Sequence, residues 1–267
     1  MAIDGKVFML CNSTTEELLT NIRKEDWTAN IKFDGERILA IVQNKQVILM
    51  NRRSAICNKA FPEIVTELSK LNDCILDGEI ISLNDNFDEL QKRALTKSQA
   101  KIDELVKKIP VKYMIFDILK QGVNEVKNNS LSERIAILKK IDFSKLNNIE
   151  VAEFDEVDKM IKKAKKEDRE GVVLKHLTSD YESCRSGYWL KYKFFEEGQL
   201  EVIKYEINPR GITCEDKDGN RVAVLGEQSK EVIGEIDKNK KALVNIQFLE
   251  RTKEGRYRFP SFRGLAK

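Results

Sequence analysis

Lys32-Phe33-Asp34-Gly35-Glu36-Arg37 decides how this chain folds, because it separates two apolar runs with the spacing of strands. Before it, Trp27 to Ile31 reads as one strand. After it, Ile38 to Val42 reads as a second and Gln46 to Met50 as a third. Lys32 therefore stands at a strand end, just ahead of a glycine that lets the backbone turn sharply. An amine in that place, partly desolvated by a sheet and with its tip in a cleft, is a candidate nucleophile. Asp34 and Arg37 are near enough in sequence to orient a charged substrate around it. Taken alone, a Lys and an Asp two apart on a turn describe a solvated hairpin; the partners further along the chain change that.

Working outward, Asn51-Arg52-Arg53-Ser54 closes the third strand with two cations, as fit for phosphate as for surface charge. Cys74 to Ile81 reads as a buried strand carrying Asp77, Gly78 and Glu79 in its middle, and an acid in such a place is costly unless paired or bound to a cation. Val111 to Leu119 is the next strand, with Phe116 either a core aromatic or a ring offered to a flat ligand. Glu170 opens another apolar strand through Lys175. Tyr188 to Lys193 is a strand whose Lys191 and Lys193 share one face, where an anion would relieve their repulsion. Helices are expected from about Glu16 to Arg23, from Phe61, from Phe87 to Ile109 as one long helix or a pair, and over 130–141 and 156–166. From about Gly198 the pattern changes to short strands separated by turn signals such as Asp218-Gly219-Asn220. That suits a small five-stranded barrel whose longest connection is 227–241.

The 267 residues suit one large domain and one small one, and 34% charged against 41% hydrophobic residues describes a globular chain. The net charge of +3 falls entirely in residues 198–267, where 14 Lys+Arg face 11 Asp+Glu; this is compatible with phosphate contact without diagnosing it. Five scattered cysteines without a CxxC pair argue against structural zinc and for a reducing compartment. The run Val7 to Cys11 is too short for a signal peptide or a membrane span, so a cytoplasmic location is expected. A single histidine, His176, leaves little room for His-centred catalysis or His-rich metal sites. Chemistry here must run on Lys, carboxylates, Arg and metal-bound oxygen.

KFDGER at 32–37, NRRS at 51–54, LDGEI at 76–80, YMIFDIL at 113–119, EGVVLK at 170–175 and WLKYK at 189–193 together resemble the motifs of ATP-dependent DNA ligases, in their family order. The likeness is to the minimal two-domain form within the covalent nucleotidyltransferase superfamily. It implies an α+β fold: a mixed, largely antiparallel nucleotidyltransferase (ATP-grasp-like ligase) domain over residues 1–197, followed by a small OB-fold β-barrel over 198–267. It implies that Lys32 attacks the α-phosphorus of ATP and that the AMP passes to a 5′-phosphate at a nick in duplex DNA. The 3′-hydroxyl then displaces AMP. Magnesium, with manganese as a substitute, would be held by Glu79 and Glu170. Asn30, Ile31, Lys32, Arg37, Arg52, Glu79, Phe116, Lys191 and Lys193 would bind ATP, with Phe116 stacked on adenine and Asp34 ordering the nucleophile. Arg37, Arg52 and Arg53 would meet the DNA. The family's closing basic-acidic motif is missing after Arg258-Phe259-Pro260, so Arg263 or Lys267 would orient the pyrophosphate. The chain is expected to act as a monomer. An RNA ligase or a GTP-using mRNA capping enzyme is the alternative within the superfamily, and a non-catalytic nucleic-acid-binding protein is the alternative outside it.

Overall fold

The computed structural model describes residues 7–84, 87–252 and 255–266, which divide into two compact units, 1–192 and 193–267. The first unit runs β1 (Leu10–Ser13), α1 (Glu16–Thr20), β2 (Trp27–Ile31), β3 (Glu36–Gln43), β4 (Gln46–Asn51), α2 (Pro62–Leu68), β5 (Cys74–Ser82), α3 (Phe87–Leu95) and α4 (Gln99–Lys108). It continues with β6 (Val111–Gln121), β7 (Asn124–Glu125), α5 (Leu131–Leu138), β8 (Ile149–Val151), α6 (Val157–Lys166), β9 (Gly171–His176) and β10 (Arg185–Lys193). Two sheets result. One has the order β1-β10-β9-β2; the other has the order β4-β3-β5-β6-β7, with β8 also paired to β6.

Strand alternation gives the larger sheet two different faces. Ile38, Ala40, Leu49, Leu76, Ile80 and Ile115 point to one side, where Ile64 and Leu68 of α2 and Leu138 of α5 close an aliphatic core. Leu39, Met50 and Phe116 point to the other, where they meet Phe8, Met9, Tyr181 and Trp189. The two sheets therefore face one another across an aromatic layer. Gly78 is required by close approach: a Cβ there would lie 2.5 Å from the Tyr113 ring and 2.6 Å from the Met114 carbonyl oxygen. Gly35 is equally constrained, since its Cβ would lie 2.1 Å from the Ile80 carbonyl oxygen, so the turn after Lys32 is pressed against β5.

The second unit contains β11 (Glu196–Val202), β12 (Lys204–Asn208), β13 (Gly211–Glu215), β14 (Arg221–Leu225), α7 (Gln228–Asn239), β15 (Ala242–Phe248), β16 (Glu250–Arg251), β17 (Tyr257–Arg258) and β18 (Ser261–Leu265). Its described strands form two three-stranded sheets, β11-β15-β18 and β12-β13-β14, with a short β16-β17 hairpin. One core gathers Leu200, Val202, Ile212, Val224, Val244 and Ile246.

Two expectations shift. The first helix stops at Thr20, and Lys24–Asp26 form a separate 3-10 turn. The expected barrel connection 227–241 is helical, because Val232 and Ile236, one turn apart, are both buried by the core. Residues 87–109 take the paired form of the two expected, as helices parted at 96–98. The compact units divide at Lys193, and Glu196 to Val202 are strand, paired with β15 from Glu196↔Phe248 to Val202↔Ala242, so the expected boundary near Gly198 falls within β11.

Candidate active site

β2 belongs to the smaller sheet and β3 to the larger, so the segment 32–35 carries the chain across from one to the other. That crossing puts Lys32 where the chain passes between the two sheets, partly exposed. Its backbone N–H continues the β2–β9 ladder by donating to the Gly171 carbonyl at 2.9 Å, which brings Glu170 alongside. The Lys32 Nζ donates to Glu170 Oε2, with the lysine side chain 21% exposed and the glutamate 8%. Ile31 is the last residue of β2, and Asp34 lies half-buried in the crossing.

Glu79 faces Arg37 in the β3–β5 register. Burial pushes its carboxyl up to about 8, against the pull of Arg37 and Lys32, while Asp77 and Glu36 add to the rise. Glu79 is thus close enough to the nucleophile to feel its charge. Glu79 and Glu170 are each coupled to Lys32, one by charge and one by contact, and the described residues hold no cluster of three or more acidic, histidine or cysteine ligands. That donor set fits magnesium, which takes one or two carboxylates and completes its shell with phosphate oxygens and water.

Arg37 is placed differently from its expected role at the nick. Its Nε and Nη2 donate to Asp77 at 3.1 and 2.7 Å, and Asp77 is wholly buried. Its Cζ lies 5.3 Å from the ring centres of Phe8, Phe116 and Trp189. Burial lowers the guanidinium pKa, but the charge and hydrogen bond of Asp77, with the charges of Tyr181 and Cys11, together outweigh it and the value is raised. The strand pairing explains this: β3 and β5 lie antiparallel, with Glu79 opposite Arg37 and Leu39 opposite Asp77, so both carboxylates share the face of Arg37 and its guanidinium reaches along the sheet to Asp77.

Behind this pair lies a residue the sequence reading did not single out. Lys175 is 1% exposed; its Nζ donates to the Phe116 carbonyl at 2.9 Å and lies 4.0 Å from the Trp189 ring centre and 4.3 Å from that of Phe116. Burial lowers its pKa to about 7, despite the opposing charges of Asp117 and Asp77. Phe116, expected to stack on adenine, is 7% exposed and shares its ring with Lys175 and Arg37. Tyr181 was missed as well, since nothing in its local sequence distinguishes it. For Lys175 there was a signal: a cation inside an apolar strand needs the same explanation as the acids of β5.

The remaining candidates divide. Asn30 is buried; its Nδ2 donates to the Ile31 carbonyl, and its Oδ1 has no hydrogen-bond partner among the described residues. Burial raises the Cys11 thiol pKa, while Arg37, Lys175, Lys191 and Lys32 all pull it down, so Lys191 joins the other three cations around one side chain. Arg52 and Arg53 are exposed in the turn after β4, where Asn51 Oδ1 accepts the Arg53 N–H and Asn51 Nδ2 donates to Glu36. Lys193 and Arg263 belong to the second unit. Lys193 Nζ sits 5.3 Å from the Phe259 ring centre and Arg263 donates to Gln247 Oε1. Lys267 lies outside the described residues.

A family model described as ATP dependent DNA ligase domain matches residues 8–193, the span that carries all of this geometry except Lys193's surroundings and Arg263. The chain belongs to the ATP-dependent DNA ligase family. Among its ligase relatives, the bifunctional non-homologous end joining protein LigD of Bacillus subtilis is 28% identical over 206 residues, covering 68% of this chain and 34% of that protein. The SPbeta prophage-derived DNA ligase-like protein LigB of the same organism is 24% identical over 258 residues, covering 89% of this chain and 92% of its own. This ligase-family chain therefore spans about a third of one relative and nearly all of the other. A solved Lig E DNA ligase, described as binding DNA with a minimal scaffold, superposes with a TM-score of 0.68 at 18% identity, covering 97% of this chain and 99% of that one. That likeness establishes a shared two-part α+β ligase fold. Among the described residues no helix is long and apolar enough to cross a membrane.

Proposed function

We propose that this ligase-family chain seals 5′-phosphate/3′-hydroxyl nicks in duplex DNA through a covalent Lys32–AMP intermediate formed from ATP. The observation that carries the reading is the Lys32–Glu170 contact where the chain crosses between the two sheets, with Lys32 and Arg37 both acting on the buried Glu79 carboxyl. The Lys32 amine forms the N–P bond to the α-phosphorus as the bond to pyrophosphate breaks, and Glu170 holds the Nζ proton that must leave. AMP then passes to the 5′-phosphate of the nick, and the 3′-hydroxyl displaces it to give the phosphodiester.

Glu79 and Glu170 would hold a divalent metal, magnesium or manganese, which neutralises phosphate charge when bound. Lys191 and Lys193 would hold the α-phosphate, Asp34 would order the lysine, and Arg52 and Arg53 would contact the DNA backbone. Ile31 would line the adenine site with Asn30, and Phe116 would supply the ring for stacking. Asn30 supports adenine over guanine: with Nδ2 committed to the backbone, Oδ1 is an acceptor, matched to an amino group and mismatched to a carbonyl.

In this reading the first unit, expected as residues 1–197, is the adenylation domain, and the second, expected as 198–267 with its β11 strand beginning at Glu196, is an OB-fold barrel. The two three-stranded antiparallel sheets around one core support the latter. Arg263, or Lys267, would orient pyrophosphate. The protein acts as a monomer on nicked duplex DNA in the cytoplasm.

Incubation with magnesium and ATP labelled at the α-phosphate should leave acid-labile label on the wild-type protein, whereas GTP labelled alike should leave none. Absence of the ATP label rejects the reading.

A further inference from the structure

Tyr181 lies between β9 and β10, outside every motif quoted above, yet it completes the setting of Arg37. It is buried, its hydroxyl donates to Asp77 Oδ2 at 2.7 Å, and the Tyr181 hydroxyl oxygen accepts the Met9 backbone N–H at 3.1 Å. Asp77 Oδ2 also receives Arg37 Nη2, and Oδ1 receives Nε. The carboxylate therefore grips the guanidinium along its Nε/Nη2 edge, and among the described residues Nη1 makes no hydrogen bond. The Tyr181 ring stands edge-on to Trp189 at 5.7 Å, and Trp189 is one of the three rings that flank the guanidinium. One residue thus secures both the anchor and a wall. A buried carboxylate with a single cationic partner keeps its geometry only when further donors satisfy its oxygens, and Tyr181 supplies that donor.

We propose that Tyr181 is a positioning residue for adenylyl transfer: through Asp77 it fixes the guanidinium of Arg37 so that Nη1 faces the bound nucleotide. This rests on the reading of the site given under Proposed function.

The test is a double-mutant cycle on the single-turnover rate of Lys32–AMP formation, with Tyr181→Phe, Arg37→Lys and the double variant, beside thermal unfolding of each. Tyr181→Phe keeps the ring and should slow adenylation about tenfold, since small misplacements of a positioned group cost one to two orders of magnitude. It should cause no further slowing once Arg37→Lys is present. Tyr113→Phe is the structural control: it removes another buried hydroxyl, one that donates to the Ile38 and Leu76 carbonyls, and should lower the unfolding temperature without changing the rate.

A wild-type rate in Tyr181→Phe, or slowing that multiplies in the double variant, overturns the positioning role while wild-type labelling leaves the ligase reading standing. A wild-type protein that takes no label overturns both. Should Tyr181→Phe not fold, 3-fluorotyrosine at position 181 keeps ring and oxygen while altering the hydroxyl's donation. The proposal expects it to change the rate beside Arg37 and not beside Arg37→Lys; equal ratios in the two backgrounds reject it.

Discussion

The two faces of the larger sheet are built from the same strands and do opposite things. On one, Ile38, Leu49, Leu76 and Ile80 pack on α2 and α5. The polar groups within reach there are structural, such as the Tyr113 hydroxyl on two carbonyls. On the other, Arg37 and Lys175 lie against aromatic rings, Asp77 takes the Tyr181 hydroxyl, and Glu79 stands opposite Arg37. Rings tolerate cations at their faces, which aliphatic side chains do not. The difference teaches that on this sheet the buried cations Arg37 and Lys175 are held where rings flank them, while the opposite face is closed mainly by aliphatic side chains.

The sharpest break of that contrast is at its rim. Lys32→Ala should abolish AMP labelling and lower nick sealing by about a thousandfold or more, with little change in thermal unfolding; residual label would assign the nucleophile elsewhere. Next, Glu170→Gln should slow sealing by about a hundredfold or more at any ATP concentration, because Lys32 loses its partner and a metal loses a ligand. Full activity would remove Glu170 from the site. On the aliphatic face the effect should reverse. Leu68→Ala, at a fully buried position, should cost roughly 2–5 kcal/mol in urea unfolding and leave the sealing rate per folded molecule unchanged. A rate loss there would erase the distinction between the faces.

Lys175 gives a smaller, pH-dependent effect. Its folded pKa of about 7 lies below the ordinary 10.5, so between those values the unfolded chain holds the extra proton and stability rises with pH. Below about 7 the buried lysine is charged in both states and its penalty is full. Wild type should therefore gain on Lys175→Met by up to about a kcal/mol per pH unit from pH 7 to 10 in urea titrations. A flat difference would mean the lysine stays charged in its aromatic cage. Smallest in what it says of single residues, nick binding should weaken steeply with salt; a flat response would argue against phosphate contacts.

Much of the site was legible from local pattern. A lysine before Asp-x-x-Arg at a strand end, acids inside an apolar strand and an acid opening another each break a periodic run, and such breaks are visible in one window of sequence. Lys32 meets Glu170, and its charge is felt by the buried Glu79 carboxyl. What local pattern could not give was how far each charge is already committed. Arg37 looked available for phosphate, yet two of its nitrogens are held by Asp77, forty positions away. Tyr181 meets Asp77 across 104 positions, and Lys175 reaches the Phe116 carbonyl across 59. Residues 227–241, expected as the longest barrel connection, are helical over Gln228–Asn239, and the i, i+4 pair Val232 and Ile236 is the local signal for it.

The amino-acid order by itself determined the strands, the ligase motifs and the stock of charged groups, because side-chain periodicity and backbone constraint act over a few residues. Only the tertiary structure decided which face each charge shares and which partner claims it. Those pairings arise when sheet register and the facing of two sheets bring distant positions within hydrogen-bond reach.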